Sequence, residues 1–124
     1  MASNPPQPQG PALTAHILNT MSGIPAAGVQ VALFKLNESP TPSQQFIATT
    51  ETNANGRVTS WNVDLSTVES GIYTFRFETG AYFDSLGVTS FYPYVEMAVR
   101  INKGQHYHIP LLLAPYGYTT YRGS

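Results

Sequence analysis

Short runs of alternating β-branched and aromatic residues, cut at close intervals by glycine and proline, constrain this chain more than any other feature. A strand turns successive side chains to opposite faces, so a period of two marks a half-buried strand. Residues 13–20 form the first run, ended by Ser22, Gly23 and Pro25. In 28–36, Val29, Val31 and Leu33 fall on one face. Residues 45–52 form a threonine-rich strand, followed by the turn Asn53-Ala54-Asn55-Gly56, in which Asn55-Gly56 suits positive φ. In 71–78, Ile72, Thr74 and Arg76 oppose Tyr73, Phe75 and Phe77. Residues 91–101 and 105–113 read as a hairpin across Asn102-Lys103-Gly104, and 116–121 is a last short strand. Only 81–86 reads as helical, and 63–68 holds one turn at most. Many short strands with turn signals between them specify an all-β sandwich.

The length, 124 residues, is that of one domain. Pro5, Pro6, Pro8, Gly10 and Pro11 keep residues 1–11 out of a sheet, so a disordered tail is expected there and a folded domain over 12–124. Charged residues are 10% of the chain, against about 25% in an average soluble domain, so part of the surface is expected to be covered in an oligomer. The net charge is -1 with no basic patch, which argues against a nucleic-acid partner. No apolar run approaches the roughly 18 residues of a transmembrane helix, so no membrane partner is expected. No secretory signal is expected either, and Arg122-Gly123-Ser124 is not a peroxisomal address. With no cysteine, disulfides and thiolate metal sites are excluded.

Three histidines carry the candidate chemistry. All three fall on expected strands, and His106 and His108, two apart, share a face. A strand histidine without context is more often structural than catalytic, and three histidines with an open position also suit zinc. Arg57 follows the Asn55-Gly56 turn; it is either a solvated charge or a fork for a planar, oxygen-rich ligand. The final residues, 118–124, favour a strand that pairs at a subunit interface or lines a site. No Ser-His-Asp set or phosphate loop is evident. These residues by themselves reach an oligomeric sandwich with a histidine-based site.

Four segments, Leu13-Thr14-Ala15-His16-Ile17-Leu18-Asn19, Asn55-Gly56-Arg57, Phe91-Tyr92-Pro93-Tyr94-Val95-Glu96 and His106-Tyr107-His108-Ile109-Pro110-Leu111-Leu112-Leu113, resemble the transthyretin-like family. The closing Tyr121-Arg122-Gly123-Ser124 resembles that of its hydrolases and separates them from the thyroid-hormone carrier. Ala114 and Thr119 depart slightly from the family's usual serines. The resemblance implies a sandwich of two four-stranded sheets with one short helix. It also implies a homotetramer: a dimer by edge-strand pairing, two dimers to the assembly, and a channel between them. Where the carrier has lysine, glutamate and threonine, this chain has His16, Arg57 and His108.

By the same resemblance the catalytic set is His16, Arg57, His108 and Tyr121, and substrate is bound by His16, Arg57, Tyr121, Arg122 and Ser124. His106 is expected at the channel mouth, with no metal and no cofactor. The implied reaction is cyclic amide hydrolysis of a small molecule, 5-hydroxyisourate, to 2-oxo-4-hydroxy-4-carboxy-5-ureidoimidazoline in urate degradation. His16 and His108 are expected to share water activation while Arg57 anchors the substrate and Tyr121 narrows the channel floor. The implied location is the cytoplasm, with the peroxisome as the other compartment. The alternative is a transthyretin-type carrier without catalytic activity; a zinc hydrolase on the three histidines and an inactive sandwich are the remaining readings.

Overall fold

The computed structural model describes residues 10–124, so most of the expected tail over 1–11 lies outside the described residues. Nine strands and one helix follow one another: β1 (Leu13–Asn19), β2 (Ile24–Pro25), β3 (Gln30–Asn37), β4 (Ser43–Glu51), β5 (Arg57–Val58), β6 (Gly71–Phe77), α1 (Thr79–Ser85), β7 (Val95–Ile101), β8 (Tyr107–Ala114) and β9 (Gly117–Thr120). One sheet has the order β2-β1-β8-β9, with β5 also paired to β1; the other is β4-β3-β6-β7. The architecture is the expected all-β sandwich with one short helix. The first sheet holds five strands rather than four because β2 and β5, two residues each, pair with different parts of β1. Pro25 and Ile24 pair with Leu18 and Asn19, while Val58 and Arg57 pair with Ala15 and His16.

The period-two pattern decides which side chains meet between the sheets. Leu13, Ala15 and Ile17 of β1 point inward with Tyr107, Ile109, Leu111 and Leu113 of β8. From the other sheet come Val31 and Leu33, then Tyr73, Phe75 and Phe77. The Phe75 and Phe77 rings stack with centroids 6.1 Å apart. Burying side chains of this size stabilises the fold by roughly 1.5–3 kcal/mol each. Trp61 covers one end of this core, donating Nε1–H to the Leu13 carbonyl at 2.9 Å. The inner face of the first sheet is filled by apolar residues and the buried Asn19, whereas Thr14 and His16 of β1 and His108 of β8 lie on the outer face, where the candidate site is built.

The structure differs from the sequence reading at several points. Strands β7 and β8 do not form a hairpin: β7 pairs antiparallel with β6, whereas β8 runs parallel to β1 in the other sheet. Both carry one apolar row toward the same core, so residues 102–106 serve as a corner between sheets. The Tyr107 hydroxyl ties that corner, accepting from the Asn102 amide at 2.9 Å and donating to Gln105 Oε1 at 3.2 Å. His106 therefore lies in the corner, one residue before β8, and not on a strand. Strand β7 starts at Val95 rather than at 91, after Pro93, whose carbonyl receives the Gly80 N–H at 3.1 Å. Helix α1 begins two residues earlier than expected, whereas 63–68, read as one turn at most, forms no helical turn, within that reading. No helix among the described residues is long and apolar enough to cross a membrane.

Candidate functional site on the outer face of the five-stranded sheet

The turn over 53–56 delivers Arg57 to the edge of β1. Asn53 Oδ1 accepts from the amides of Asn55 and Arg57 at 2.9 and 3.1 Å, closing the turn on itself. Gly56 alone takes positive φ there, at +72°, and its carbonyl accepts from Ile17 N–H at 2.8 Å. A Cβ at this glycine would come 2.5 Å from the Ile17 carbonyl oxygen, so only glycine lets the turn sit this close to β1. Arg57 is thereby placed directly across from His16. Directly opposed residues of an antiparallel pair have Cβ atoms roughly 4.5–5.5 Å apart.

Across β1 lies β8, in a parallel register that sets His16 beside Pro110 and Thr14 beside His108. His16, Thr14 and His108 are each half-buried on the outward face. The closing residues continue the row: β9 pairs with β8 through Leu111 and Thr120, and beyond it Gly123 bridges back to His108. That register brings residue 121 alongside Pro110. Two rows result, one running Arg57, His16, Pro110, Tyr121 and the other Thr14, His108, Gly123. The structure thus brings His16, Arg57 and His108 onto one patch, with the segment 121–124 along its far side.

Electrostatics favours neutral imidazoles on this patch. Partial burial lowers the His16 pKa below the ordinary 6.5, the Arg57 guanidinium lowers it further, and the Asn55 backbone opposes both. Burial also lowers the His108 pKa, followed by Arg57, His16 and His106. Both are therefore available near neutral pH as proton acceptors beside a fixed cation. Among the described residues no three His, Cys, Asp or Glu side chains converge as a metal site. His106 and His108 instead meet at a hydroxyl: Thr14 Oγ1 lies 2.8 Å from His108 Nδ1 and 3.3 Å from His106 Nε2.

The other sequence-derived residues are placed differently. Arg122 lies over the Tyr107 ring, 4.3 Å from its centroid, with Nη2 at 3.4 Å from both Gln105 Oε1 and the His106 carbonyl oxygen. These contacts hold the closing segment and engage neither His16 nor His108. Tyr121 is 57% exposed and also borders a groove of about 420 Å³ between the β7 and β9 edges, together with Met97, Val99, Ile109 and Thr120. Ser124 is exposed beyond the Gly123 bridge. Neither histidine nor Arg57 lines that groove, so in one chain the patch is an open sheet surface.

Two residues of the patch, Thr14 and Gly123, fall in segments that carry the family resemblance but receive no site role from the sequence. Thr14 carried no signal beyond sharing strand parity with His16, because the β1–β8 register is long-range. Gly123 is needed against the His108 ring: a Cβ there would come 2.8 Å from His108 Cδ2 and 3.1 Å from Pro110 Cγ. Residues 118–124 read as ordered in the sequence, but the contact that requires glycine at 123 appears only with the bridge to His108.

Sheet order and the one helix among the described residues, set between β6 and β7, define a sandwich of the transthyretin class. The model of the HIUase/Transthyretin family matches residues 13–123, and the chain belongs to that family. It is 43% identical over 113 residues to the 5-hydroxyisourate hydrolase of Mus musculus, covering 90% of this chain and 94% of that protein. Among solved structures, 5-hydroxyisourate hydrolase of Klebsiella pneumoniae matches with TM-score 0.76 and 37% identity, over 90% of this chain and 98% of that one. Transthyretin of Sparus aurata matches with TM-score 0.82 and 29% identity, over 90% and 96%. Backbone shape is shared by 5-hydroxyisourate hydrolase and transthyretin alike, so fold by itself does not separate them and side chains must.

Proposed function

We propose that this protein is an enzyme that hydrolyses 5-hydroxyisourate to 2-oxo-4-hydroxy-4-carboxy-5-ureidoimidazoline in urate degradation. The observation that carries the reading is the His16–Arg57 cross-strand pair with His108 on the neighbouring strand, all on one outward face. Opening a cyclic amide requires a base for water, a cation for the oxygen that becomes negative, and a fixed pocket. His16 and His108, with pKa values held below 6.5, supply the proton acceptors. Arg57 grips the planar substrate through paired N–H donors and stabilises the developing oxyanion. Water adds to the ring carbonyl as its proton passes to imidazole; the C–N bond then breaks, and that proton goes to the departing nitrogen. The scheme requires no metal and no cofactor.

Tyr121 closes the pocket, and Arg122, anchored on Tyr107, holds the closing segment so that Tyr121 and Ser124 border the substrate. The patch becomes a pocket when a second copy covers it, so the working form is a homotetramer, two edge-paired dimers packed face to face. The cytoplasm is the proposed location, with the peroxisome as the alternative. The test generates 5-hydroxyisourate in situ from urate with urate oxidase and follows its ultraviolet decay with chelator present. Added protein is expected to speed that decay. Decay at the spontaneous rate, from a protein shown to be tetrameric, would overturn the reading, and saturable thyroxine binding would then support a carrier.

A further inference from the structure

Two hydrogen bonds on the histidine patch pass through one hydroxyl, and their direction can be worked out from its neighbours. His106 Nδ1 lies 3.1 Å from the Pro11 carbonyl oxygen. A carbonyl oxygen only accepts, so His106 Nδ1 carries a proton, and in the neutral ring Nε2 is then a bare acceptor. Thr14 Oγ1, 3.3 Å from that Nε2, is the group that donates to it. With its proton so used, the hydroxyl oxygen accepts from its second neighbour, His108 Nδ1, at 2.8 Å. His108 Nδ1 therefore carries the proton, and its Nε2 holds a free lone pair.

We infer that Thr14, oriented by His106, is a positioning residue that fixes His108 in the Nδ1–H tautomer and leaves His108 Nε2 as the nitrogen that deprotonates the attacking water. The inference deepens the hydrolase reading above and rests on it. Thr14 touches His108 at one edge of the ring, and Gly123 packs against the other, at Cδ2, the carbon bonded to Nε2. The ring is thus held from both sides, with its bare nitrogen on the side of the closing segment. In the hydrolytic step a water O–H bond breaks, the proton goes to His108 Nε2, and the water oxygen bonds to the ring carbonyl carbon. That proton then passes to the ring nitrogen as the C–N bond breaks. His106, expected from the sequence at a channel mouth, thereby gains a definite role, which is to point the Thr14 proton away from His108. Without it the hydroxyl is free to donate to His108 Nδ1, which moves the ring proton to Nε2 and removes the base.

The tautomer is read directly by nitrogen-15 NMR of the histidine rings, at a pH well above the ordinary imidazole value and without substrate. His108 of the wild-type protein is expected to be protonated on Nδ1. Thr14→Val, which keeps the shape and deletes the hydroxyl, is expected to move the proton toward Nε2 and to lower kcat by about ten-fold or more, with KM changing less. Thr14→Ser restores both. His106→Ala, at an exposed ring, should shift the tautomer in the same direction, and it decides the matter if Thr14→Val does not fold. A wild-type His108 protonated on Nε2, or variants that leave tautomer and kcat unchanged, would overturn the inference while an active wild-type protein leaves the hydrolase reading standing. An inactive wild-type tetramer would overturn the hydrolase reading and the base role with it.

Discussion

Arg57 sits where one charge acts on two imidazoles at once, since it lowers the pKa of both His16 and His108. Burial is the larger cause for each, and both act against the imidazolium. Protonation removes the base, so the rate falls on the acid side, and the lowered values place that fall below pH 6.5. A profile of kcat/KM against pH, corrected for spontaneous decay, should show its acid limb there; a limb at or above 6.5 would contradict this arrangement. Folding stability has the same sign. The unfolded chain, with ordinary histidines, binds more protons than the folded one as pH falls below 6.5, so stability is lost on acidification through the lowered values. Arg57→Glu should cut hydrolysis by about 100-fold or more, as loss of an oxyanion donor does elsewhere, while keeping the assembly. A carboxylate at this position favours imidazolium, so any residual activity should show its acid limb moved upward. Wild-type turnover in this variant would remove Arg57 from the anchor role.

At the scale of elements, the site depends on a two-residue strand delivered by a four-residue turn. Gly56 meets the Ile17 carbonyl at 2.5 Å from its would-be Cβ, whereas Gly87, with a similar φ of +68°, has open space around it. Gly56→Ala and Gly87→Ala therefore share the backbone strain and differ in the clash. In urea melts, Gly87→Ala should cost about 1–2 kcal/mol and Gly56→Ala distinctly more. Only Gly56→Ala should also depress activity, because β5 carries Arg57. Equal costs with unchanged activity would mean that the turn does not set the position of Arg57. The closing segment is the second such device. Within residues 121–124, Arg122 stacks on Tyr107 and the adjacent Gly123 bridges His108, so a segment beyond the last regular strand still follows the strand register.

Among the described residues, two of the sheet edges and an aromatic surface lie together on one side of the sandwich. β7 and β9 end their sheets, and the groove of about 420 Å³ opens between them. Tyr118 and Phe91 are exposed on either side of Tyr92, whose ring packs edge-on against both. Exposed edges with unpaired backbone groups are usually covered or paired, and the low charged fraction of 10% fits a surface partly hidden by other copies. Sedimentation is expected to show a tetramer, and specific activity should fall when dilution dissociates it, because the patch loses its covering face. A monomer of undiminished activity would place the whole site within one chain.

What the sequence determined by itself is what can be read along one strand. The alternation in 71–78 put Tyr73, Phe75 and Phe77 on the inner face, and all three are buried. The parity of residues 13–19 put His16 opposite Leu13, Ala15 and Ile17, and the turn before Arg57 was visible as Asn55-Gly56. Tertiary structure alone decided which strand lies beside which. Residues 91–101 and 105–113 carry the same alternation and a turn between them, yet one joins β6 and the other joins β1, because closing a two-sided core gains more than zipping one hairpin. The link from Thr14 to His106 and His108, the turning of Arg122 onto Tyr107, and the need for glycine at 123 all follow from that long-range register. Alternation fixes a side chain's face, but the neighbour on that face comes from a strand more than ninety residues away, chosen by packing of the whole sandwich.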